Sequence, residues 1–123
     1  MFEKRLEVPD FEYCKKLKEL GYPQDGGDWY WIKLITWGKP RLIYPGDDFD
    51  ELVGLSEKEF FVKAPTVGEL GKLLPDFVEF KLNGKFWIKD KENYRYLVND
   101  RNEANARAKM LIWLIENGYV SLK

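Results

Sequence analysis

The residues that could do chemistry here are aromatic rings with lysines set between them. If GDWYWIKLITWG (27–38) is extended, Trp29, Trp31, Lys33, Ile35 and Trp37 share one face and Tyr30, Ile32, Leu34 and Thr36 the other, because side chains alternate along a strand. KFWIK (85–89) repeats the pattern, with Lys85, Trp87 and Lys89 in a row. Such rows suit a small anionic, nucleotide-like ligand, since rings stack on a base while ammonium groups meet phosphate. The candidate ligand site is therefore Trp29, Trp31, Lys33, Lys85, Trp87 and Lys89. Two other readings of these rows stay open: helices cover this face, with lysine stems reaching its edge, or a second subunit packs on it.

Other chemistry is sparse. The chain has no histidine, which removes the commonest general base, the Ser-His and Cys-His nucleophile pairs, and most zinc or iron sites. Cys14 falls on the apolar stripe of a predicted helix, the setting of a small buried hydrophobe. Asp47, Asp48, Asp50 and Glu51 lack the offsets of an EF-hand and read as a solvated loop. No glycine pattern resembles a phosphate-binding loop after a strand. The sequence nominates no catalytic residue, no metal site and no cofactor, so a non-catalytic binding protein is expected.

Composition sets the frame. A chain of 123 residues, 45% hydrophobic and 16% aromatic, can bury one core without metal or disulfide staples, which predicts one domain over 1–123. Twenty basic residues against 21 acidic ones give a net charge of -1, so bulk nucleic-acid binding is not expected. With a single cysteine, no apolar leader in MFEKRLEVPD and no apolar run long enough to span a bilayer, the expectation is a soluble cytoplasmic protein without a membrane partner.

The elements that must position these residues follow from periodicity. DFEYCKKLKELGYP predicts an amphipathic helix with Phe11, Cys14, Leu17 and Leu20 on one face, Asp10 as N-cap, and Gly21 and Pro23 at its end. The aromatic stretch reads as a strand, RLIY (41–44) as its return, and FFVK (60–63) as another short strand. TVGELGKLLP carries a capping box, Thr66 with Glu69, and a Leu-rich stripe stopped by Pro75. FVEFKL, KFWIK and YRYLV predict an antiparallel meander. For its first hairpin, a bulged three-residue loop of Leu82, Asn83 and Gly84 pairs Phe80 with Phe86 and Val78 with Ile88, which collects the apolar residues on one face. A last helix starts at a capping box of Asp100 and Glu103 and ends at Gly118. Met110, Trp113 and Leu114 extend its apolar surface nearly all round, which predicts either a sandwiched helix or an interface between subunits of a homo-oligomer. Strands grouped between helices give an α+β fold, a mainly antiparallel sheet with helices on one or both faces.

APTVGELGKLLP and EANARAKMLIWLIENG resemble segments of small uncharacterised proteins encoded by phages and prophages, which pair an Ala-Pro-Thr lead with an Ala-rich apolar last helix. The resemblance implies a small α+β domain in a mobile-element setting, acting in host cytoplasm, and supplies no activity or site residue. The expected function is binding through the Trp/Lys sheet face or the last helix, either to sequester a nucleotide signal or to block a host protein in anti-defence. The alternative is a homodimeric interaction module, and after it a histidine-free enzyme, which two convergent carboxylates in a polar cleft would signal.

Overall fold

Three helices and six strands build the fold in a computed structural model, which describes residues 8–24, 29–33, 37–43, 61–74, 77–90 and 97–122. In chain order they are α1 (Phe11–Glu19), β1 (Tyr30–Ile32), β2 (Arg41–Ile43), β3 (Val62–Lys63), α2 (Val67–Leu73), β4 (Phe77–Leu82), β5 (Lys85–Asp90), β6 (Leu97–Asp100) and α3 (Glu103–Glu116). The strands form two antiparallel three-stranded sheets, β2-β1-β3 and β4-β5-β6, with the helices packed against them. This is the expected α+β class, a single domain whose strands divide between two sheets.

Local signals explain the helices. Thr66 and Glu69 form the predicted capping box, with the Glu69 N–H donating to Thr66 Oγ1 (3.2 Å) and the Thr66 N–H to Glu69 Oε1 (3.1 Å). Gly21 (φ 102°) and Gly118 (φ 79°) follow α1 and α3 in the left-handed conformation that stops a helix. The predicted start of α3 needs correction. Asn102, not Asp100, is the N-cap, accepting from the Asn105 N–H at 3.2 Å, and Asp100 accepts from the Asn102 N–H at 2.9 Å. Asp100 thus acts two residues further out, as an Asx-type contact before the helix.

The main core lies between α3 and the sheet β4-β5-β6. Ile88 and Val98 meet Ala104, Ala108, Met110, Leu111 and Leu114, and α1 and α2 close the core through Leu17 and Leu70. Alanines at 104 and 108 let the helix approach closely. A smaller core of Val8, Cys14, Val62 and Ala64 sits under the first sheet. Helix α1 serves both: Cys14 enters the small core, and Leu17, one turn on, enters the main one.

The β4–β5 hairpin differs from the bulged loop expected from apolar patterning. Leu82 pairs with Lys85, Phe80 with Trp87 and Val78 with Lys89, around a two-residue turn in which Asn83 (φ 54°) and Gly84 (φ 75°) are both left-handed. That is the type I′ geometry Asn-Gly favours, because its twist matches that of the strands. Paired residues share a face, so Phe77, Glu79, Lys81, Phe86 and Ile88 turn toward α3, and Val78, Phe80, Leu82, Lys85, Trp87 and Lys89 turn away. The charged residues on the covered face are accommodated. Arg107 of α3 meets Glu79 at 3.0 Å, and Lys81 lies 5.3 Å from the Phe86 ring near the exposed hairpin end.

Candidate functional site

The six candidate residues separate onto the two sheets. Trp29, Trp31 and Lys33 lie in and beside β1, and Lys85, Trp87 and Lys89 form a row on β5. Among the described residues no strand pair joins the two sheets. The single row drawn from the sequence is therefore two surfaces, and their surroundings differ.

On the first sheet, Tyr30 and Ile32 are buried as their row predicts, with Tyr30 stacked on Phe61 at 5.0 Å. The opposite row is roofed by the segment leading into α1. The Trp31 indole N–H donates to the Pro9 carbonyl (3.1 Å), and its ring meets Phe11 edge-on at 6.2 Å. Trp29 packs on the same cluster, and both tryptophans are half-buried. Cys14 also donates to the Pro9 carbonyl (3.4 Å), and burial pushes its thiol far above the ordinary range, so it stays protonated and unreactive.

On the second sheet the outer face is partly open: Trp87, Lys85, Lys89 and Val78 are half-buried, and the apolar side chains beside them are exposed. Phe80, Leu82 and Leu97 are 37%, 52% and 50% exposed. They surround Trp87, whose ring lies parallel to that of Phe80 (6.3 Å, 4°) and whose indole N–H donates to the Leu82 carbonyl at 3.2 Å. Lys85 and Lys89 stand two residues either side of Trp87, and β6 adds Leu97 and Asn99 opposite Lys89 and Trp87. No acidic side chain points from this face among the described residues.

The predicted interface residues fall mostly inside. Met110 and Leu114 are 1% and 4% exposed in the chain's own core, so neither offers surface to a second copy. Trp113 is half-buried and stacks on Tyr119 at 5.5 Å. The all-round apolar character of α3 is met by contact with β5, β6, α2 and α1, the sandwiched-helix reading.

Three polar clusters escaped the sequence reading because each joins distant segments. Arg107 bridges Glu79 of β4 (3.0 Å) and Glu103 of its own helix (3.4 Å) and donates to the Val67 carbonyl at 2.8 Å. A hydrogen bond between the two carboxyls, then burial, pushes Glu103 up to about 7. Burial also raises Glu79, but hydrogen bonds from Glu103 and Arg107 outweigh it and hold that carboxyl below its usual range. Two carboxyls thus converge, yet a guanidinium clamps them between β4, α2 and α3. That arrangement is a latch and not an open acid–base pair.

In the second cluster, Asn105 accepts from the Asp10 N–H (2.6 Å) and donates to the Asp10 and Asp100 carboxylates (3.0 and 3.3 Å), tying the roof over Trp31 to α3. Lys109 completes it against Asp100 at 3.0 Å. In the third, the almost fully buried Lys63 pairs with Glu69 at 3.0 Å and lies 5.5 Å from the Tyr22 ring centre. Burial, then the Glu69 charge, pushes the Tyr22 phenol up to about 12. The sequence traces of these clusters are the predicted capping residues Asp10, Glu69, Asp100 and Glu103, whose roles between distant segments nothing local announces.

Among the described residues, no helix is long and apolar enough to cross a membrane, and no group of His, Cys, Asp and Glu could hold a metal ion. No family model matches the chain, and no curated protein or solved structure is significantly similar to it.

Proposed function

We propose that this is a non-catalytic binding domain that docks an acidic protein partner on the outer face of β4-β5-β6. The observation that carries this reading is the exposed group Phe80, Leu82 and Leu97 around Trp87, with Lys85 and Lys89 beside it. An aromatic and aliphatic centre with charge at its margin is the composition of a protein-binding hot spot. The lysines select a partner with acidic groups at matching positions. A second copy fits poorly, because face-to-face packing would oppose two cationic rows. The face is built on an open sheet with Phe80, Leu82 and Leu97 exposed, and small ligands prefer concave sites, so a protein fits better than a free nucleotide. The mobile-element resemblance supplies the setting: an accessory protein that blocks a host protein in the cytoplasm.

The test is photo-cross-linking in producing cells, with benzoylphenylalanine at 80, 87 or 97 and, as controls, at the exposed positions 12 and 19 of α1. A single discrete adduct from the sheet positions, lost when Lys85→Glu and Lys89→Glu are combined, is expected. Adducts from the control positions alone, or none from the sheet positions, would contradict the reading. Saturable shifts of the Trp87 indole signal with nucleoside monophosphates would replace the protein with a small anion.

A further inference from the structure

The sheet β4-β5-β6 has two edges, and the chain treats them differently. Leu82 and Lys85 flank the two-residue turn and form the closing hydrogen-bonded pair of the hairpin. Bonding alternates along the strands, so Leu82, Phe80 and Val78 direct their backbone groups to β5, and Lys81 and Glu79 direct theirs away from the sheet. On the opposite edge the same alternation turns the Asn99 backbone of β6 outward. There the Lys109 ammonium caps the Asn99 carbonyl at 2.8 Å. Among the described residues, no strand and no side chain takes up the outward N–H and C=O groups of Glu79 and Lys81.

The open edge is also complementary to itself. Phe80, Lys81 and Leu82 are exposed, and VEFKL (78–82) runs apolar, acidic, aromatic, basic, apolar about Phe80. Laid antiparallel about a two-fold axis at Phe80, two copies set Glu79 opposite Lys81 of the second copy, and Lys81 opposite its Glu79. These are the residues whose backbone groups point outward, so they meet as hydrogen-bonded pairs. Phe80 then meets its own counterpart, and Val78 meets Leu82, all on the outer face. Registers centred on Glu79 or on Lys81 oppose like charges instead. Within its own chain, Lys81 lies 5.3 Å from the Phe86 ring centre and has no carboxylate partner among the described residues. Glu79 shares the Arg107 guanidinium with Glu103, so a further cation is welcome beside it.

We propose that β4 pairs edge to edge with β4 of a second copy, antiparallel about Phe80, joining two β4-β5-β6 sheets into one across a two-fold homodimer. Such an interface is isologous and closes after two copies, so it covers the open edge without building fibres. The proposal goes beyond the docking face and does not rest on it. Edge pairing leaves both outer faces open on the same side of the joined sheet and opposes no cationic rows.

Disulfide trapping in the full chain tests the register. Phe80 and its counterpart form a non-hydrogen-bonded pair with Cα atoms about 4.5 Å apart, within disulfide reach. Native Cys14 is buried and does not compete. Phe80→Cys should therefore oxidise to a covalent dimer. Lys81→Cys and Leu82→Cys, which face residues 79 and 78 of the second copy, should cross-link at least tenfold more slowly. Sedimentation equilibrium of the unaltered chain should give a dimer with a Kd on the order of 100 µM or tighter, the weak range of a short interface. Lys81→Glu opposes two carboxylates and should weaken the dimer at least tenfold. Lys81→Pro removes an N–H that faces away from β5, so the hairpin ladder stays whole, and should weaken it as much. Lys85→Glu combined with Lys89→Glu, which removes the docking partner, should leave the dimer intact, so the two readings fail separately. A chain still monomeric at tenfold above that Kd, equal cross-linking at 80, 81 and 82, or undiminished dimerisation of Lys81→Glu would overturn the inference.

Discussion

Strands β1 and β5 carry almost the same pattern, a tryptophan with a lysine two residues on, and the fold treats them in opposite ways. Trp31 is roofed by Pro9 and Phe11, its indole N–H committed to the Pro9 carbonyl. Trp87 lies among exposed apolar side chains, and its N–H bonds back to its own hairpin. The difference comes from what the rest of the chain can supply. The Val8–Asp10 segment and α1 cover the first sheet, whereas α3 covers only the side of the second sheet that holds Phe86, Ile88 and Val98. Alternation says that a strand has two faces. Which face gets a cover is decided by segments far away in sequence.

The contrast can be broken most sharply by truncating each ring. Trp31→Ala should cost about 3 kcal/mol in urea unfolding, since it empties part of a packed cluster and leaves the Pro9 carbonyl with only the weaker Cys14 thiol as donor. Trp87→Ala should cost no more than about 1 kcal/mol, as expected of a surface-facing side chain. Equal losses would erase the distinction between the two strands.

The roof itself can be loosened next. Asn105→Ala removes the side chain that holds Asp10 and Asp100 together, and should destabilise by about 2 kcal/mol while exposing Trp31 to a fluorescence quencher. Trp87 quenching should not change. On the uncovered side, Gly84→Ala should cost about 1 kcal/mol, because a side chain is strained at φ 75° and the I′ turn fixes which residues face outward. Retained stability would show that the turn is not what sets the register.

The smallest effect is pH dependence at the latch joining β4 to α3. Glu103 is raised from 4.5 to about 7, so between those values the folded chain holds a proton that the unfolded chain releases. Its contribution is full below about pH 4.5, fades as pH rises, and is gone above about pH 7. Melting temperature should therefore decline from pH 5 to pH 8, and Glu103→Gln should flatten that decline. A slope unchanged in the variant would remove the carboxyl pair from the account.

Much of the fold was readable because its signals are local. The Thr66–Glu69 capping box, the glycines that end α1 and α3, and the Cys14–Leu17 stripe each need only a few consecutive residues. The hairpin register was not readable by the same logic. Apolar patterning alone favours a bulge, but Arg107, 28 residues from Glu79, makes a carboxylate tolerable on the covered face. The Asn-Gly pair was the better guide, since its backbone preference does not depend on distant partners. The same limit applies to the candidate site. Lysine and tryptophan spacing identified Lys85, Trp87 and Lys89 as one row, but Phe80 and Leu97 join them only through strand pairing.

The central claim is that the outer face of β4-β5-β6 is occupied when the protein works. Hydroxyl-radical footprinting, run on the purified chain and on the same chain inside producing cells, tests it most directly. In purified protein, Phe80, Trp87 and Leu97 should oxidise readily and Trp31 slowly. In cells the first three should become protected at least several-fold, while the exposed Leu73 and Tyr119 keep their reactivity. If Phe80, Trp87 and Leu97 oxidise in cells as fast as they do in the purified protein, the face has no partner and the account fails.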